Sequence, residues 1–310
     1  MPTGDNHLQQ LLLTGGTGLL GSAVLDRLKS EKKAVRASRL RLGSSSITHW
    51  RDELRGCDAV LHLAARVHIM RDRSSSRLDD FREVNTEGTL GLARLAAQAG
   101  VKRFVFVSSI KVNGEHTEPG LAFHHDDAPA PLDPYGISKA EAEDGLRQIA
   151  SETGMEVVII RPPLVYGPGV RANFRTMMRW LHRGIPLPLA CVTDNRRSLV
   201  ALDNLVDLLI TCLDHPAAAN QTFLVSDGED LSTADLLRRL GRAMGHPARL
   251  LPVPTGLLWA GARLLGKGDM AQRLLGSLQV DIEHTRRTLG WAPPVSVDEG
   301  LRRTAQGFRP

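Results

Sequence analysis

Short, nearly uninterrupted apolar runs recur along the first half of the chain, each followed by a stretch with helical spacing. Residues 8–14, 34–38, 59–63 (AVLHL), 104–108 (FVFVS) and 157–160 read as strands. Between them, residues 19–30, 81–99 (stopped by Gly100) and 134–152 read as helices. Val, Ile and Leu without polar alternation mark strands covered on both faces. The first half therefore predicts an α/β protein, with a parallel sheet between two helix layers. Right-handed crossovers between such units give a doubly wound sheet.

After Pro162-Pro163 the texture changes. GPG (167–169), GIPLPL (184–189) and LPVPTG (251–256) predict loops, with helices at 174–182, 204–214 and 233–244 and a strand at 222–225. Asp203 reads as a helix N-cap. The division expected is a sheet domain over residues 1–165 and a smaller, discontinuous substrate domain over 166–310. The latter returns one strand and helix, from about 198–226, to the sheet.

Composition narrows the partners. The net charge of +5 comes from scattered Arg, with no basic run, so no nucleic-acid partner is expected. Cys57, Cys191 and Cys212 lie far apart without CxxC spacing, which excludes a disulfide framework and fits a reduced, cytoplasmic protein. MPTGDNHLQQ lacks a basic region followed by an apolar one, so no signal peptide is read. GLLWAGARLLG (256–266) is about half a membrane span and contains Arg263; a packed helix is expected, with an interfacial helix as the alternative. HHDD (124–127) stands in a Pro-rich loop without a spaced partner, so a solvated loop and no metal are expected.

Candidate chemistry starts at LLLTGGTGLLG (11–21). A strand breaking into glycines before a helix start holds a dinucleotide pyrophosphate, because the backbone can come close and free N–H groups face the anion. Tyr135 and Lys139 share one helical face at i,i+4. An ammonium beside a phenol lowers its pKa from about 10 and makes it a usable acid/base. Ser108 and Ser109 end the strand FVFVS, at the carboxyl edge where such sheets hold ligands. No GxSxG elbow or Walker lysine is present, so hydrolase and NTPase readings lack their parts.

TGGTGLLG, HLAA (62–65), VN-x-x-GT (84–89), SSIKVNG (108–114), PYGISK (134–139) and RPPLVYGPG (161–169) occur in the order and near the spacing of the extended short-chain dehydrogenase/reductases. Nearly the whole chain resembles their nucleotide-sugar epimerase/dehydratase/reductase branch, most strongly over 8–170, including enzymes of bacterial surface-polysaccharide synthesis. The resemblance implies a Rossmann-type domain in which Tyr135 is the acid/base, Lys139 its electrostatic partner and Ser109 the third catalytic group. It implies that Gly15, Thr17, Gly18, Leu19 and Gly21 form the phosphate turn. Leu63, Ala64, Ala65, Asn85, Ser108 and Pro162 would line or support the cofactor cleft. Asn173 would approach the uridine and Arg197 the diphosphate of a UDP-sugar. A homodimer through helices near 83–99 and 135–152 is implied as well.

Three departures bear on the reaction. The second strand ends VRASR, without the acid that holds the ribose hydroxyls of NAD; Arg36, Ser38 and Arg39 suit a 2′-phosphate, so NADP is expected ahead of NAD. Leu164 replaces an asparagine that contacts diphosphate in the family. The stretch 40–56 is short, so the family's acid near the adenine cannot be placed, and Asp52 is only a candidate for it. Ile110-Lys111 stand where dehydratases carry Asp-Glu. The expectation is reduction of a UDP-4-keto-(6-deoxy)-N-acetylhexosamine at C4. The alternative is a UDP-glucose or UDP-N-acetylglucosamine 4-epimerase with retained NAD, and a more remote one is a non-catalytic NAD(P) sensor.

Overall fold

A computed structural model describes residues 10–40, 42, 47–67 and 77–310. The beginning of the first predicted strand, at residues 8 and 9, and part of the stretch after the second lie outside them. The main sheet is built from β1 (Leu11–Thr14), β2 (Val35–Ala37), β3 (Ala59–His62), β4 (Arg103–Val107), β5 (Glu156–Arg161) and a late strand. A separate two-stranded sheet pairs β6 (Leu164–Tyr166) with β7 (Leu199–Ala201), and the late strand is β8 (Thr222–Leu224). The order is β2-β1-β3-β4-β5-β8, every pair parallel. Strand order reverses between β1 and β3, and a ligand crevice forms at such a switch point.

The helices are α1 (Leu19–Ser30), α2 (Ile47–Leu54), α3 (Arg77–Phe81), α4 (Gly88–Gln98), α5 (Pro134–Thr153) and α6 (Ala172–His182). The later ones are α7 (Leu202–Asp214), α8 (Thr233–Ala243), α9 (Thr255–Leu264), α10 (Gly268–Leu275), α11 (Glu283–Leu289) and α12 (Val297–Gln306). Period-two alternation divides the sheet's side chains between two cores. Leu11, Leu13, Leu61, Val105 and Val158 pack with α1 and α7, whereas Leu12, Val60, Phe104, Phe106 and Ile159 pack with α2, α4 and α5. Both faces are dry, as the uninterrupted apolar runs require.

Two predicted elements differ in detail. The helix expected over 81–99 contains a π-helical stretch, Arg82–Glu87, between α3 and α4. Its buried Asn85 turns inward to bond backbone, which gives the extra residue per turn a local reason. Asp203 does not cap a helix: α7 begins at Leu202 behind Ala201, and Asp203 pairs with Arg303 at 2.9 Å from within the first turn.

A third core, around Tyr166, Phe174, Leu199, Leu237 and Leu301, joins β6 and β7 to α6, α8 and α12. Asn204 of α7 ties this half to the sheet half. Its Oδ1 accepts from Val295 N at 2.8 Å, and its Nδ2 donates to Asp227 Oδ1 at 2.7 Å and to Val295 O at 2.8 Å. The Tyr166 hydroxyl donates to the other Asp227 oxygen at 2.7 Å. β8 and α7 return to the sheet from beyond residue 198.

Candidate active site

The glycine turn leaves β1 at the switch point. Gly15 has φ +73°, and a Cβ there would lie 2.7 Å from Ala64 N; one on Gly21 would lie 2.1 Å from Gly15 O. Both glycines are therefore demanded by the fold. Gly18 is different: a Cβ would meet only Gly15 O, at 3.4 Å. Gly18 caps α1 without a side-chain hydrogen bond, and the first turn contains no acid. Free N–H donors and the positive end of the helix dipole thus remain unneutralised, with Thr17 and Gly18 exposed and Leu19 half-buried around them. This donor set fits a dinucleotide pyrophosphate.

The opposite wall of the crevice follows β3. Leu63 N bonds Thr14 O at 3.3 Å, and Ala64 N donates to Thr14 Oγ1 at 3.3 Å. Asn85 Oδ1 accepts from Arg66 N at 2.8 Å while its Nδ2 donates to Arg66 O and to Ser138 Oγ. Asn85 therefore clamps the Leu63–Ala64–Ala65 wall to the helix that carries Tyr135. His62, fully buried, lies 2.7 Å from Thr14 Oγ1 and 3.0 Å from Thr89 Oγ1; burial, aided by the Lys139 cation, pushes its pKa down to about 3. It is a neutral strut between β1, β3 and α4.

α5 opens with Asp133, whose Oδ1 accepts from Gly136 N at 2.7 Å, and with Pro134 at its first position. Lys111 Nζ bonds the other Asp133 oxygen and Glu115. A Cβ on Gly136 would lie 2.9 Å from Lys111 O, so the first turn of α5 packs directly on the segment following Ser109. This close approach brings Tyr135 to the carboxyl end of β4. Its ring meets Phe81 edge-on at 6.1 Å. Among the described residues no group hydrogen-bonds its hydroxyl.

Lys139 lies one turn further along α5, 1% exposed, its Nζ donating to Val107 O at 2.8 Å and standing 4.3 Å above the Phe106 ring. Burial pulls its pKa down to about 7, opposed by Glu143. Tyr135 is pushed up by burial and then by Asp133. This corrects the lowered phenol expected from sequence: in the protein alone the Lys139 ammonium points at a carbonyl, and burial dominates both groups.

Ser108 and Ser109 diverge. Ser109 Oγ accepts only a long 3.3 Å bond from Lys111 N, leaving its hydroxyl proton available. Ser108 Oγ donates to Glu143 Oε1 at 2.6 Å, inside a buried network in which Arg161 bonds Glu143 and Asn113. Pro162 O accepts from Ile110 N at 3.0 Å and holds the same corner.

At the end of β2, two of the three groups expected to meet a 2′-phosphate are committed elsewhere. Arg36 Nη1 bonds the carbonyls of Asp52, Glu53 and Arg55, closing the C-terminus of α2, where orphan carbonyls attract a cation. Ser38 is buried, and its Oγ accepts from Leu40 N at 3.1 Å. Arg39 remains exposed. Asp52 is exposed on α2 and pairs with Arg55.

On the substrate side, Asn173 is exposed in the first turn of α6. Arg197 is locked by backbone bridges to Leu231 and Leu278 and donates from Nη1 to Gly276 O at 3.2 Å. Burial and the neighbouring Arg273 cation push its pKa down. Among the described residues no carboxylate pairs with either guanidinium, so the repulsion between these two cations is left uncompensated. Arg273, on α10, is the residue sequence reasoning missed; only the fold brings it to Arg197. The HHDD loop is also less solvated than expected, since His125 stacks on His284 with ring centroids 3.6 Å apart.

The NAD dependent epimerase/dehydratase family model matches residues 11–226. A UDP-glucose 4-epimerase of Vibrio cholerae is 49% identical, covering 99% of this chain and 98% of its own. An N-acetyl-alpha-D-glucosaminyl-diphospho-ditrans,octacis-undecaprenol 4-epimerase of Escherichia coli O157:H7 is 25% identical over 96% of this chain and 94% of its own. Among solved structures, a UDP-glucose 4-epimerase of Thermotoga maritima with UDP-glucose superposes with TM-score 0.77 at 23% identity, covering 96% of this chain and 98% of that one. A glycine turn open to pyrophosphate, the family model over residues 11–226 and the near-full-length likeness at 49% identity converge: the chain is an enzyme of the NAD dependent epimerase/dehydratase family.

Proposed function

We propose that the enzyme inverts C4 of a UDP-hexose or UDP-N-acetylhexosamine and keeps its NAD throughout. The observation that carries this reading is the near-full-length likeness to the Vibrio cholerae UDP-glucose 4-epimerase, with Ser109, Tyr135 and Lys139 all present. NAD replaces the expected NADP because Arg36 and Ser38 are turned to α2 and Leu40, which leaves Arg39 alone for a 2′-phosphate. The same commitment weakens the 4-keto reductase reading, which leaned on that acid-free strand end.

The Gly15–Gly21 turn and the N-terminus of α1 would hold the pyrophosphate of NAD, which when bound would supply the acceptor and donor for the C4 hydride. Tyr135 removes the O4 proton and gives it back, with Ser109 donating a hydrogen bond to the same oxygen. Lys139, when protonated, holds positive charge beside the phenol and favours its ionised form. Arg197 and Arg273 grip the diphosphate, so that the sugar can present either face of C4 while the nucleotide stays fixed. A homodimer through the outer faces of α4 and α5 belongs to the same proposal.

The test is whether the purified enzyme carries NAD and interconverts UDP-glucose and UDP-galactose, or their N-acetyl counterparts, without added cofactor. Stoichiometric NADPH consumption on a UDP-4-keto sugar, with no interconversion, overturns the reading. Tyr135→Phe is expected to lower turnover at least about 10²-fold while dinucleotide binding is kept. Full activity in that variant means the acid/base is misplaced.

A further inference from the structure

α9 has no buried residue. Its exposed positions are Thr255, Gly256, Leu257, Ala260, Arg263 and Leu264, and the apolar Leu257, Ala260 and Leu264 are spaced at three and four on one face. Leu257 is 64% exposed, Leu264 88% and the following Leu265 71%, while Met270 of α10 is 49% exposed. Ten large apolar side chains are exposed among the described residues, and five of them fall within 251–270. A solvent-facing helix normally turns its polar side outward, so this concentration marks a surface built to be covered.

The charges around it are one-sided. Residues 249–276 carry Arg249, Arg263, Lys267 and Arg273 against the single acid Asp269. Arg263 and Lys267 are themselves exposed beside Leu264 and Leu265. Leucines flanked by cations match a bilayer edge, where apolar side chains enter the acyl boundary and cations meet anionic headgroups. A second copy of this chain would bring the same excess of cations to the contact and be repelled. α9 is ten residues long, and no helix among the described residues is long and apolar enough to cross a membrane.

We propose that the α9–α10 hairpin is a docking surface for anionic phospholipid, with α9 lying in the plane of the bilayer surface. The proposal takes up the interfacial alternative for residues 256–266, and it does not depend on which sugar the enzyme takes. Met270 and Arg273 are three residues apart on α10, so docking brings the Arg197–Arg273 pair to the lipid boundary. The sequence alone expected a packed helix here with an interfacial one as the alternative; Leu258 packs on the third core, and the exposed Leu257 and Leu264 are what the interfacial reading rests on.

The full-length enzyme is mixed with vesicles of phosphatidylglycerol and phosphatidylcholine, or of phosphatidylcholine alone, and sedimented. Expected are binding to the anionic vesicles, weaker binding to neutral ones, and loss of the difference at about 0.5 M salt. Leu257→Glu/Leu264→Glu is expected to lower affinity for anionic vesicles by at least about tenfold. Arg263→Gln/Lys267→Gln is expected to remove the preference for anionic lipid. Both variants should keep the circular dichroism spectrum and nucleotide-sugar turnover, since neither pair touches the active site. No sedimentation of wild type with phosphatidylglycerol vesicles overturns the proposal. So does self-association through this face, abolished by the leucine variant, without vesicle binding.

Discussion

Lys139 and His62 are buried bases within one layer of each other, and both are held below their ordinary proton affinity. From about pH 7 to 10 an unfolded chain retains a proton on Lys139 that the folded one has released. Ligand-free stability should therefore rise with pH across that window. Below pH 6.5 and down to about 3, an unfolded chain takes a proton that folded His62 refuses, so stability falls as pH drops, by at most about 1.4 kcal/mol per unit. Thermal melts over pH 4–10 check both slopes, and Lys139→Met should abolish the upper one while only narrowing the lower one, which burial of His62 dominates. At this scale the sequence was legible wherever chemistry is local: Tyr135, Lys139 and the glycines lie in short runs whose spacing defines their geometry. The partner of Arg36 was not, because the α2 carbonyls reach it only through tertiary packing, and Arg273 comes to Arg197 for the same reason.

Elements turn such contacts into rules about substitution. Gly21→Ala would set a Cβ 2.1 Å from Gly15 O, a methyl against backbone with nowhere to yield. Loss of dinucleotide binding and of about 3 kcal/mol or more is expected, read by denaturant titration and cofactor content. Arg36→Ala separates structure from cofactor choice. It should lower stability by about 1 kcal/mol, by uncapping α2, and leave the NAD-to-NADP preference unchanged. A shift of preference toward NAD in that variant would place Arg36 at the 2′-phosphate after all. Strands and helices of the sheet half were readable because apolar runs and glycine stops repeat there. β6 and β7, three residues each, are too short for a period, whereas the helix expected at 256–266 is present as α9, without the buried face expected of it.

Across the molecule, one buried ion pair joins three parts of the active-site half. Glu143 of α5 is fully buried, bonds Arg161 of β5 at 2.6 Å and holds Ser108 beside Ser109. Glu143→Gln should cost about 3–5 kcal/mol, since it strands a buried guanidinium. Reduced turnover should accompany a lowered upper pH limit, because the carboxylate also supports the Lys139 charge. Paired stability and pH-rate measurements check both. The Asn204 clasp has a different consequence. With Val295 bonded to an asparagine in α7, the polypeptide crosses between halves several times, and no single cut separates them. Such a protein cannot trade the half built on its third core as a cassette with a relative. If Asn173 and Arg197 meet the substrate as proposed, its repertoire would shift residue by residue around them, beneath a framework inherited whole.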